Sequence, residues 1–131
     1  MTVPNNITTQ KLERLTKRLL DVENAQDDNF RDKKILEQTK EFIEADRLQS
    51  RLWIEQYEQM ITGSPNAQGK VAELLDTHAR INAEISKGLD DAFANNAAER
   101  LSLENERDQL IANQKQAMRQ KEAEMNSRHE W

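Results

Sequence analysis

Chain-breaking residues constrain this sequence more than any other feature. There are three glycines and two prolines in 131 residues, and three of these five stand within "TGSPNAQGKVAE", residues 62–73. Glycine and proline supply the backbone angles that turns need, so a chain this poor in them runs in a few long elements. Composition agrees. Charged residues make up 33%, hydrophobic types 36% and aromatics 5%, a balance poor for a self-sufficient globule but ordinary for long helices that bury a seam against neighbours. The expected fold class is all-α: a long antiparallel helical hairpin with flanking N- and C-terminal helices, coiled-coil-like and oligomeric, in a single helical domain spanning 1–131.

The same stretch superficially resembles a phosphate-binding loop, because Gly63 is followed by Gly69-Lys70. That loop needs G-x-x-x-x-G-K-[ST] between a strand and a helix, so that successive N–H groups wrap the phosphates and a hydroxyl holds magnesium. Here five residues separate the glycines, Val71 stands where the hydroxyl belongs, and "IEQYEQMIT" before it reads as a helix. A bend explains every residue instead. Gly63 suits the left-handed position that ends a helix, Ser64 the N-cap of the next, and Pro65 its first residue, where a missing N–H costs nothing.

Periodicity divides the chain into four expected helices, 9–26, 29–62, 66–94 and 97–127. Leu12, Leu15, Leu19 and Val22 follow helical spacing in the first. The polar run "AQDDN" then breaks it, with Asp28 or Asn29 capping the second helix. That helix carries Leu36, Ile43, Ile54, Tyr57 and Ile61 in one row, interrupted by Arg47 and Ser50, with Phe42, Ala45, Leu52 and Met60 in the next row. The third helix has the cleanest apolar face, from Val71 through Leu75, His78 and Ile85 to Phe93. Gly88 within it costs about 1 kcal/mol unless a close helix contact uses the missing side chain. Asn96 with Glu99 resembles a capping box opening the last helix, whose seam of Ile111, Met118 and Met125 is thin.

Leu52-Trp53-Ile54 is the most informative triplet. Consecutive helical residues lie roughly 100° apart, so three bulky apolar side chains exceed what one antiparallel partner covers. Either several helices surround this point or Trp53 lies on a patch covered by another subunit. The expected oligomer interface is Leu52, Trp53, Ile54, Tyr57, Leu75, His78 and Ile85.

Net charge is −5, unevenly spread: residues 1–34 carry seven bases against six acids, and 35–62 three against six. Lys11, Arg14, Lys17 and Arg18 face only Glu13, forming a local positive cluster. It reads either as a solvated helix face or as a double-stranded DNA contact multiplied by oligomerisation. The absence of cysteine excludes disulfides and thiolate metal sites and fits a reducing compartment. With no apolar run near the roughly 20 residues that span a bilayer and no apolar signal core, no membrane partner is expected, and the expected location is the cytoplasm.

No catalytic constellation can be nominated. His78 lies on an apolar row, where it reads as a core or interface imidazole, and His129 does not pair with it. No carboxylate set matches a metal cage on facing helices. The expectation is therefore no enzyme, no cofactor and no metal.

One resemblance carries further. Asp27-Asp28, the long helix to Thr62, the Ser64-Pro65 bend, the Val71-x-x-x-Leu75 step and Asn82 with Ile85 resemble the central part of small terminase subunits from the large contractile-tailed phages. The resemblance covers about half of the chain. It implies hairpins packed side by side in a ring that binds viral DNA in the host cytoplasm and regulates a separate large terminase subunit carrying the ATPase and nuclease. The DNA contacts at Lys11, Arg14, Lys17 and Arg18 are inferred from charge alone. Trp131, in "SRHEW", would anchor the tail in a partner's pocket. The alternative is a helical adaptor or inhibitor that binds another protein through its long helices and C-terminal tail.

Overall fold

A computed structural model describes the backbone of residues 3–129 and the side chains of 7–128. It is all-α, with two helices in antiparallel order, α1 (Val3–Met60) and α2 (Pro65–His129), and no strand among the described residues.

The bend between them follows its sequence residue by residue. Ser64 N–H donates to the Ile61 carbonyl at 3.1 Å, closing a turn over Thr62 and Gly63. Gly63 takes φ of 97°, a conformation that a Cβ would disfavour by crowding the carbonyl oxygen. The Ser64 carbonyl then accepts the Gln68 N–H at 2.9 Å, the first helical bond of α2, and Pro65 is the first helical residue.

Where four helices were expected, two are present. Both proposed breaks, at Asp27–Asn29 and at Asn95-Asn96, lie inside continuous helix. Asp and Asn suit caps, but in a helix interior they cost only a few tenths of a kcal/mol each relative to Ala, and no glycine or proline stands at either point to force an end. Both asparagines have a different role from capping. Asn29 is 3% exposed and Asn96 7%, so each lies in a buried seam.

Contacts cluster the chain into two units, one of residues 1–31 with 97–131, the other of 32–96. In unit 1 the buried and half-buried positions recur every seven residues, as Thr8, Leu15, Val22 and Asn29 on α1 and as Leu103, Leu110, Ala117 and Glu124 on α2. Partners descend along α2 as they ascend along α1. Thr8 Oγ1 donates to the Glu124 carboxylate at 3.1 Å, Gln114 to Thr16 Oγ1 at 3.1 Å, and Arg18 pairs with Glu106 at 3.2 Å.

Unit 2 keeps the same period, with Leu36, Ile43 and Ser50 on α1 and Leu75, Asn82, Leu89 and Asn96 on α2. Ile54 and Val71 close its seam near the bend, 8% and 3% exposed. No large side chain among the described residues is fully buried, so each seam is one side chain deep.

Candidate functional site

Two features of unit 2 stand out, one inside the seam and one on its flank. Inside, Arg47 occupies a position that the apolar period assigns to a hydrophobic residue. Its Nη2 donates to the Asn82 carbonyl at 2.8 Å and to Ser86 Oγ at 2.6 Å, while its buried Nε has no partner. The Asn82 amide reaches His78 Nδ1 at 3.2 Å. Arg47, Asn82, Ser86 and His78 form a polar layer across a thin core, with no carboxylate among the described residues ion-paired to the guanidinium.

On the flank, Trp53 is 69% exposed and Tyr57 52%. With Leu74 and Ile81 of α2 they line an apolar groove of about 390 Å³. One step around the helix from a seam residue moves a side chain about 100°, and that step decides the Leu52-Trp53-Ile54 triplet: Ile54 enters the seam, 8% exposed, while Trp53 emerges on its flank and Leu52, about 200° from Ile54, on the side of the helix facing away from the seam. The other anticipated interface residues divide likewise. Leu75, His78 and Ile85 are half-buried in the seam of unit 2 and are already used within one chain.

Further exposed apolar side chains escaped the sequence reading as a set. Ile35, Phe42, Trp53 and Met60 are each more than half exposed. At about 100° per residue they fall within ~20° of one line along α1, about a quarter-turn from the seam. The signal was present in the seven-residue steps from Ile35 to Phe42 and from Trp53 to Met60.

In unit 1, Lys11, Arg14, Lys17 and Arg18 are all exposed. Arg18 reaches Glu106, whereas Lys11, Arg14 and Lys17 make no ion pair among the described residues. Trp131 lies outside the described residues. Gly69 falls within the second turn of α2 and Lys70 beside it, so no phosphate loop forms. Among the described residues no cluster of His and carboxylates could hold a metal ion, and no helix is long and apolar enough to cross a membrane.

Compared with known proteins, the chain matches no family model, no curated protein and no solved structure.

Proposed function

We propose that this chain is a non-enzymatic, coiled-coil interaction protein that works by self-association through unit 2. The observation that carries the reading is the exposed apolar flank around Trp53. Seven-residue seam periodicity suits left-handed supercoiling of α1 against α2 within each unit. A seam that thin leaves much apolar surface uncovered. Aromatic side chains left together on such a surface mark a place where another protein docks.

A second reading, the DNA-packaging subunit of a contractile-tailed phage in its host's cytoplasm, draws on the short motifs around Ser64-Pro65 and on the exposed basic stripe. Lys11, Arg14 and Lys17, exposed and without an ion pair among the described residues, are the raw material for phosphate contacts, and a ring would multiply them. In that reading the partners are double-stranded DNA and a large terminase subunit.

Mass in solution by light scattering tests both. A small closed oligomer supports the interaction protein, and a ring of many subunits that binds DNA supports packaging. A monomer at tens of micromolar would sink the self-association reading outright. Retention of DNA binding after neutralising Lys11, Arg14, Lys17 and Arg18 would remove the stripe from the packaging reading.

A further inference from the structure

The geometry points to one arrangement for that self-association: two copies pair antiparallel about a two-fold axis along the outer stripe of α1 in unit 2. This rests on the self-association reading and specifies its register.

Spacing carries the inference. Ile35, Phe42, Trp53 and Met60 are separated by seven, eleven and seven residues, so the stripe reads the same in both directions about a midpoint between Arg47 and Leu48. A two-fold interface is built from one patch facing itself, residue i against j and j against i. Laying a second α1 antiparallel over this midpoint sets Phe42 against Trp53 of the second copy and Ile35 against its Met60, each contact occurring twice. A spacing without this symmetry satisfies only some of its contacts in any one register.

Shape agrees with spacing. Phe42 is 74% exposed and projects from the stripe, while Trp53 borders the groove of about 390 Å³ with Leu74 and Ile81. The pairing puts the Phe42 ring of each copy at the groove of the other. Polar residues at the midpoint fit as well. Asp46 and Gln49, both exposed, face each other across the axis as an acceptor and an amide donor. Parallel alignment would instead stack Asp46 on Asp46 and leave both grooves unfilled, and like charges so placed repel.

Area is sufficient. At roughly 150–250 Å² per aromatic side chain and exposures of 74, 69 and 52%, Phe42, Trp53 and Tyr57 offer on the order of 400 Å² per copy. That is about half of the ~800 Å² per partner in a stable interface. Ile35, Met60 and the groove wall on α2 add to it.

The test uses the full chain, which has no cysteine of its own. Asp46→Cys and Gln49→Cys copies are mixed, oxidised and weighed by mass spectrometry, beside light scattering of the unmodified chain. The pairing predicts a dimer and a mixed 46–49 disulfide well above the share random pairing gives. Trp53→Ala should weaken the dimer at least ~100-fold, because a two-fold interface loses the anchor twice, with helical circular dichroism unchanged. An oligomer that gives mainly 46–46 disulfides, or no mixed excess, overturns the two-fold register and leaves self-association standing. A monomer overturns both.

Discussion

Arg47 invites replacement by methionine, a side chain of similar length without charge. In the seam of unit 2 the guanidinium makes two hydrogen bonds, to the Asn82 carbonyl and to Ser86 Oγ, and these contribute about 0.5–1.5 kcal/mol each in net terms. Against them stand the buried Nε without a partner, which costs about 1–3 kcal/mol, and the partial desolvation of a cation that makes no ion pair among the described residues. Methionine also adds apolar contact beside Ile43 and Leu75. Removing the arginine strands neither acceptor: the Ser86 hydroxyl can rotate to donate to the Asn82 carbonyl four residues earlier on its own helix. The terms sum to a gain of about 1 kcal/mol for Arg47→Met. Urea unfolding followed by circular dichroism, at one fixed protein concentration because association shifts apparent stability, measures it as a higher midpoint. A loss of more than about 1 kcal/mol would refute the reasoning. It would mean that the polar layer is net stabilising as a network and not a cost borne for registry.

Other substitutions probe the frame by the same measurement. Gly63→Ala forces a side chain into φ of 97° and should destabilise by about 1–2 kcal/mol; an unchanged midpoint would show that the bend relaxes to another turn. Gly88→Ala should stabilise by about 0.5–1 kcal/mol, since a Cβ there meets nothing within 4 Å, and a loss would reveal a close contact made in an assembly. Ala117 is 0% exposed, so Ala117→Leu should overpack unit 1 and cost about 1–3 kcal/mol. Breaking the Arg18–Glu106 pair, whose side chains are 67% and 42% exposed, should change stability by less than about 1 kcal/mol.

The architecture was legible where the chemistry is local. Gly63 and Pro65 each have a backbone preference that fits one place in a helix–bend–helix, and each occupies it, with Ser64 at the N-cap position between them. The breaks expected at 27–29 and 95–96 do not form, because a capping residue permits a helix end without requiring one. Asn29 and Asn96 are both buried within continuous helix, and burial is a property that local preference cannot register. The Leu52-Trp53-Ile54 triplet was half legible. Its width is a matter of angle along one helix, but which side chain turns inward depends on the face that α2 covers, and periodicity supplies relative angles only. Gly88 shows the same limit: the sequence leaves open whether a close helix contact uses its missing side chain, and a Cβ there meets nothing within 4 Å. Arg47 was visible as an interruption in a row, but not as a donor to a carbonyl on the other helix.

The arrangement of the two units has a consequence for synthesis. Unit 2 is joined through the bend, and its cross-helix bonds link residues 35 and 39 apart in sequence. Those of unit 1 link residues 88, 98 and 116 apart. Loop closure favours the nearer pairs, so unit 2 can zip from Gly63 outward while later residues are still being added. The segment before residue 32 must then leave the ribosome well ahead of the segment after 96 that covers it. During that interval Leu12, Leu15, Leu19 and Val22 lack a cover, and a nascent helix with such a stripe is open to holdase chaperones or to the same segment on a neighbouring nascent chain.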